Sequence, residues 1–175
     1  MRCRIVWLLP MLVFAACRGN SPTAASDTDE LQLAEVTGTY KAVLTTFVRF
    51  VDGPRRGQPI STVCPGEFVV TEQRGSLFFA GLTMFHSGEC LPVEAEYRGG
   101  VTVAGDVAMD TTFIHPPQDE ACTRTSAAST ATYRGTYASG RFDLERQVNF
   151  SCTEDDGRVS VLELNERIEG LPPDA

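Results

Sequence analysis

From Val36 onward the apolar side chains recur at every second residue, and a chain patterned this way buries one face only as β-sheet. Val93, Ala95 and Tyr97 alternate with Glu94 and Glu96. Val101, Val103, Val107 and Met109 alternate in the same way with Thr102, Ala104, Asp106 and Ala108. Phe142, Leu144, Val148 and Phe150 alternate with Arg141, Asp143, Glu145, Gln147 and Asn149. Less regular β-rich runs cover Val36–Val51, Glu67–Gln73, Leu77–Phe85, Ala127–Tyr137 and Arg158–Ile168, and helical spacing is nearly absent. The expectation is an all-β domain over residues 36–170, a single antiparallel up-and-down meander of about eight strands.

A weak repeat predicts where the chain turns. Arg74-Gly75 is followed by Gly81, Arg98-Gly99 by Gly105, and Arg134-Gly135 by Gly140; two of these begin Tyr-Arg-Gly, at Tyr97 and Tyr133. Short glycine-containing links between alternating runs signal hairpins, here near Gly75, Gly99 and Gly140. In a meander those turns share one end with the N-terminus. The loops Asp52–Val63, His86–Leu91, Asp110–Ser126 and Ser151–Gly157 share the other, with Cys64, Cys90, Cys122, Cys152 and both histidines.

Hairpin register then predicts the disulfides. A turn at Arg74-Gly75 sets Cys64 opposite a position near 85, within loop reach of Cys90. A turn near Ala138-Ser139 sets Cys152 opposite one near 125, close to Cys122. The expected pairs are Cys64–Cys90 and Cys122–Cys152, each closing the open end of a hairpin.

Eight antiparallel strands lose their exposed edges by closing into a small barrel; an open β-sandwich is the alternative, since periodicity does not separate the two. Gly38-Thr39-Tyr40 resembles the Gly-x-Trp of the lipocalin and calycin barrels, with tyrosine for tryptophan, and Arg167 stands where that family places an arginine over the ring. The resemblance implies a lipocalin-like barrel, an Arg167–Tyr40 contact and a mouth for a small apolar or amphipathic ligand. The one tryptophan, Trp7, precedes the domain, which argues against an avidin-type ligand cage.

Ahead of the domain, Met1-Arg2-Cys3-Arg4 and the apolar run Ile5–Ala16 form an export signal, too short to remain as a span of about 20 residues. Phe14-Ala15-Ala16-Cys17 resembles the lipobox of bacterial lipoproteins, with Phe14 in place of an aliphatic residue. In that family the signal is cut before the cysteine, which is then acylated. The resemblance implies a signal over 1–16, a lipid anchor on Cys17, a flexible tether over 17–35 and a short tail over 171–175. Arg18, rather than the aspartate tied to inner-membrane retention, implies the outer membrane. Cysteine counting agrees: Cys3 leaves with the signal, and an acylated Cys17 leaves four thiols to pair in an oxidising compartment.

Loss of Arg2 and Arg4 with the signal leaves 13 basic against 23 acidic side chains, a formal charge of −10. That balance excludes nucleic acid as the expected partner, because phosphate would be repelled. No Gly-x-Ser-x-Gly, phosphate-binding loop, dinucleotide fingerprint or calcium loop is present, so no enzyme activity and no cofactor are expected. His86 and His115, near Glu89, Asp119 and Glu120, lack zinc-ligand spacing and read as solvent-facing loop histidines.

Arg146 stands on the apolar face between Leu144 and Val148, where a cation must be paired. Glu163 or Glu166 is the expected partner; the functional alternative is an anchor for a ligand carboxylate. Arg74, Arg98 and Arg134 are expected to gather at the tether end, facing either lipid head groups or solvent. The long loops at the far end, carrying Arg55-Arg56 and Asp119-Glu120, are the expected contact region for a ligand or protein partner. Together these readings describe an anchored lipoprotein with a non-catalytic surface module; the alternative is a lipocalin-like carrier whose candidate ligand contacts are Tyr40, Arg55, Arg56 and Arg146. Phenylalanines at Phe47 or Phe50, Phe68, Phe78 or Phe79, Phe142 and Phe150 favour a filled interior over a hollow one.

Overall fold

The computed structural model describes residues 32–115, 122–125 and 131–173. The segments expected to be the export signal and most of the tether, with Cys17, lie outside them, as do Asp119 and Glu120. Nine strands follow in chain order: β1 Gly38–Asp52, β2 Pro59–Arg74, β3 Leu77–Met84, β4 Val93–Val101, β5 Asp106–His115, β6 Cys122–Arg124, β7 Tyr133–Ala138, β8 Arg141–Thr153 and β9 Val159–Leu171. All ladders are antiparallel. Eight strands close a ring in the order β1-β2-β3-β4-β5-β7-β8-β9, with β9 paired to both β8 and β1. The short β6 lies on β8 beyond the end of β7, so that two separated pieces of chain cover one edge of β8. The fold is the expected up-and-down meander of eight strands, and the β1–β9 ladder closes it into a barrel rather than a sandwich.

Two of the three repeat dipeptides lie inside strands rather than at turns. Gly99 belongs to β4 and Gly135 to β7; the chain reverses at Thr102–Gly105 rather than near Gly99, and at Ser139-Gly140 as expected. Close approach explains both glycines. A Cβ at Gly99 would lie 2.3 Å from Cζ of Phe78, and one at Gly135 would lie 1.9 Å from the Asp143 carbonyl oxygen. The alternation over Val101–Met109 is therefore interrupted. Val101 and Val107 are directly opposed inward residues flanking a turn, in which the Thr102 N–H donates to the Asp106 carbonyl at 2.9 Å. Arg134 stands near the start of β7, at the end of that strand away from the Ser139-Gly140 turn.

The interior is packed with rings. Phe142 has Tyr137 at 4.7 Å, Tyr40 at 5.0 Å and Phe68 at 5.2 Å between ring centroids, while Tyr97 and Tyr133 meet edge-on at 5.8 Å. Such tilted and edge-to-face contacts add about 0.5–1.5 kcal/mol per pair beyond the buried area. Of the alternative pairs, Phe50 and Phe78 point inward, and Phe47 and Phe79 point out. The core also reaches into the segment read as tether. Val36 is fully buried, Leu33 and Ala34 pack against the same cluster, and Gln73 bridges the Val36 N–H and the Ala34 carbonyl.

Both disulfides form as expected. Cys64–Cys90 ties β2 to the β3–β4 loop, and Cys122–Cys152 joins β6 to β8 at directly opposed positions.

Candidate functional site

Parity along β8 and β9 determines which polar side chains enter the barrel. Leu144 faces Ile168, Arg146 faces Glu166 and Val148 faces Leu164 across the ladder. The first of these pairs belongs to the large aromatic cluster and the third to a smaller cluster with Phe150, Cys152 and Leu162. Arg146 and Glu166 thus form a polar layer between two apolar ones. Arg146 Nε donates to Glu166 Oε2 at 2.6 Å, its NH1 donates to Thr111 Oγ1 at 3.2 Å, and its guanidinium lies 4.4 Å from the Tyr133 ring centroid. The Tyr133 hydroxyl donates to the same Glu166 oxygen at 2.9 Å. Of the two partners expected for Arg146, Glu166 is the one present; Glu163 points outward and pairs with Arg49 at 2.8 Å.

Burial first, then the neighbouring Glu166 carboxylate, holds the Tyr133 phenol well above its ordinary pKa. Burial alone would lower the pKa of Arg146, but Tyr133 and Glu166 more than offset it and the guanidinium remains charged. The cluster is a self-satisfied ion pair. A carboxylate ligand would have to displace Glu166 to reach Arg146, at the cost of stranding a buried charge.

Tyr40 is a core residue, 5% exposed, and its hydroxyl donates to the Val36 carbonyl at 2.8 Å. Arg167 does not cover it. On β9 Arg167 lies opposite Thr45 rather than near Tyr40, points outward, and forms a two-bond pair with Asp143 at 2.7 Å for each bond. The resemblance to the lipocalin arginine therefore fails in register and in facing. At the loop end Arg55 lies over the Phe50 ring at 4.0 Å, and Arg56 is exposed. His86 is exposed as well, and no group of three or more potential metal ligands occurs among the described residues.

A cleft of about 600 Å³ lies elsewhere, against the wall formed by β1, β9, β8 and β7. Thr45 and Phe47 of β1, Asn165 and Arg167 of β9, Glu145 and Gln147 of β8, and Arg134 of β7 line it, with Thr132, Arg146 and Glu166. Thr45, Phe47, Asn165, Arg167, Glu145 and Gln147 have the parity opposite to the buried positions, so the cleft is on the outer face. Of the expected contact residues only Arg146 borders it. The sequence gives no separate signal for such a site, because its lining alternates with the core like any solvent-facing set. No protein-family model, curated protein or solved structure matches the chain.

Proposed function

We propose that this chain is an exported lipoprotein, anchored through acyl chains on Cys17 to the outer membrane, whose barrel is a non-catalytic module that engages a partner with its outer surface. The packing of the barrel carries this reading: aromatic side chains occupy the interior, and Arg146 is committed to Glu166 and Tyr133. A carrier would need that volume and that charge for its ligand. The outer-wall cleft, by contrast, offers polar side chains to solvent without any cost to the core. The anchor is supported by the residues before Cys17 and by the pairing of Cys64 with Cys90 and Cys122 with Cys152, which leaves Cys17 as the one cysteine after the signal outside a disulfide.

Intact mass spectrometry of protein extracted from membranes tests the anchor. The expected product begins at Cys17 and carries two or three acyl chains. A soluble product with an unmodified Cys17 thiol would overturn the reading.

A further inference from the structure

The cleft's chemistry narrows the kind of partner. The side chains of Arg134 and Gln147 form no hydrogen bond or ion pair among the described residues, although both line the cleft. Asn165 donates its amide to Glu163 at 3.1 Å, which leaves its carbonyl oxygen for a ligand. Phe47 sits directly opposite Asn165 and is 39% exposed, an aromatic ring beside a row of amides and charges. Glu145 lies between Arg134 and Arg167 in register, so both charge signs alternate along the wall.

Each ligand class meets this surface differently. A polyanion would be attracted by Arg134 but repelled by Glu145, and a polycation the reverse. A neutral polyhydroxylated ligand suits both, because each hydroxyl both donates and accepts while planar amide, carboxylate and guanidinium groups hold adjacent hydroxyls in pairs. The exposed ring can pack against the C–H face of a sugar, since its π-face is electron-rich and C–H bonds are weakly positive. From β1 to β7 the cleft crosses three strand spacings, roughly 14 Å, so the ligand is elongated.

We infer that this outer-wall cleft binds a neutral oligosaccharide, with Phe47 as the stacking platform and Gln147, Asn165, Glu145 and Arg134 as hydroxyl partners. The inference rests on the outer-surface reading above and names its partner class.

The test uses the full mature lipoprotein in a polyoxyethylene detergent, so that no sugar head group competes. Calorimetric titration is performed with chitohexaose, cellohexaose and maltohexaose, and with a heparin hexasaccharide as the anionic probe. The expected result is saturable binding of at least one neutral hexasaccharide. Phe47→Ala and Gln147→Ala each weaken it about fivefold or more, comparable to losing one ring contact and one hydrogen bond respectively, and Arg56→Ala leaves it unchanged. Unchanged thermal unfolding of the variants would show that the barrel is intact. No neutral binding up to about 10 mM, binding of heparin alone, or binding indifferent to Phe47→Ala and Gln147→Ala overturns the inference. If sugars fail while a photo-crosslinker at position 147 captures a protein, the glycan assignment falls and the outer-surface reading stands; if both fail, both fall.

Discussion

Arg146 and Glu166 stand directly opposite each other on β8 and β9, and their 2.6 Å ion pair separates the two apolar clusters of the barrel. With side chains only 11% and 12% exposed, neither charge has bulk water to fall back on. Glu166→Leu strands the guanidinium and should cost about 3 kcal/mol or more in urea unfolding. The double variant Arg146→Met with Glu166→Leu, which replaces the pair by apolar volume, should recover most or all of that loss. Equal instability of the double and single variants would show that the pair contributes more than its own neutralisation.

Tyr133 gives the barrel an alkaline limit. Its folded-state pKa lies above the unfolded value near 10, mainly through burial and then through Glu166. Below pH 10 the phenol is neutral in both states and its contribution is complete. Above pH 10 the unfolded chain releases the proton first, so stability falls as pH rises. Tyr133→Phe should lose about 1–2 kcal/mol at pH 7 with the hydrogen bond to Glu166. The variant should also lose stability less steeply than the parent between pH 10 and pH 11, measured by urea midpoints. Parallel pH profiles would contradict this.

Two glycines inside strands should tolerate no side chain. Gly135→Ala drives a methyl group into the Asp143 backbone carbonyl, and Gly99→Ala drives one into the buried Phe78 ring. Both should destabilise by roughly 1–3 kcal/mol, Gly135→Ala the more, because backbone cannot swing aside. Gly100→Ala, whose nearest non-neighbouring atom is 3.6 Å away, should be neutral or stabilising. Thermal unfolding of the three variants distinguishes close packing from a general preference for glycine in these strands.

Ser160 is fully buried beneath Gly53, and its hydroxyl finds no hydrogen-bond partner among the described residues. Ser160→Ala retains the Cβ and removes the unpaired oxygen, so it should stabilise the fold by about 1 kcal/mol. A loss of stability on equilibrium unfolding would mean that the hydroxyl is satisfied.

The architecture was legible where one physical rule acted alone. Alternation placed Phe142, Leu144, Tyr97 and Val148 inward, and hairpin register paired the four cysteines, because side-chain parity and strand length leave little choice. It failed at the turn expected near Gly99, and it offered no reason for Gly135 inside a strand. Glycine serves both turns and tight packing, and only the position of Phe78 or of the Asp143 carbonyl reveals which. Val101 and Val107 conceal their turn because both face the core and the chain between them preserves the same rhythm. The internal arginine was legible as a cation needing a partner, but Thr111 reaches it from β5, which lies beyond β7 and shares no ladder with β8, so no local pattern brings it there. The outer cleft was not legible at all. Arg134, Glu145, Gln147, Asn165 and Arg167 lie on consecutive hairpins, but Thr45 and Phe47 of β1 join them only when β1 closes the barrel against β9.

Contact through the outer wall rather than the loop-rich end is tested most directly by site-specific photo-crosslinking in intact cells. A crosslinkable residue is placed in turn at Gln147, Asn165 and Phe47 on the wall, and at Arg55, Arg56 and His86 at the loop end. The expected result is one shared adduct from the three wall positions, with the loop-end positions giving little. Adducts confined to Arg55, Arg56 and His86 would contradict it.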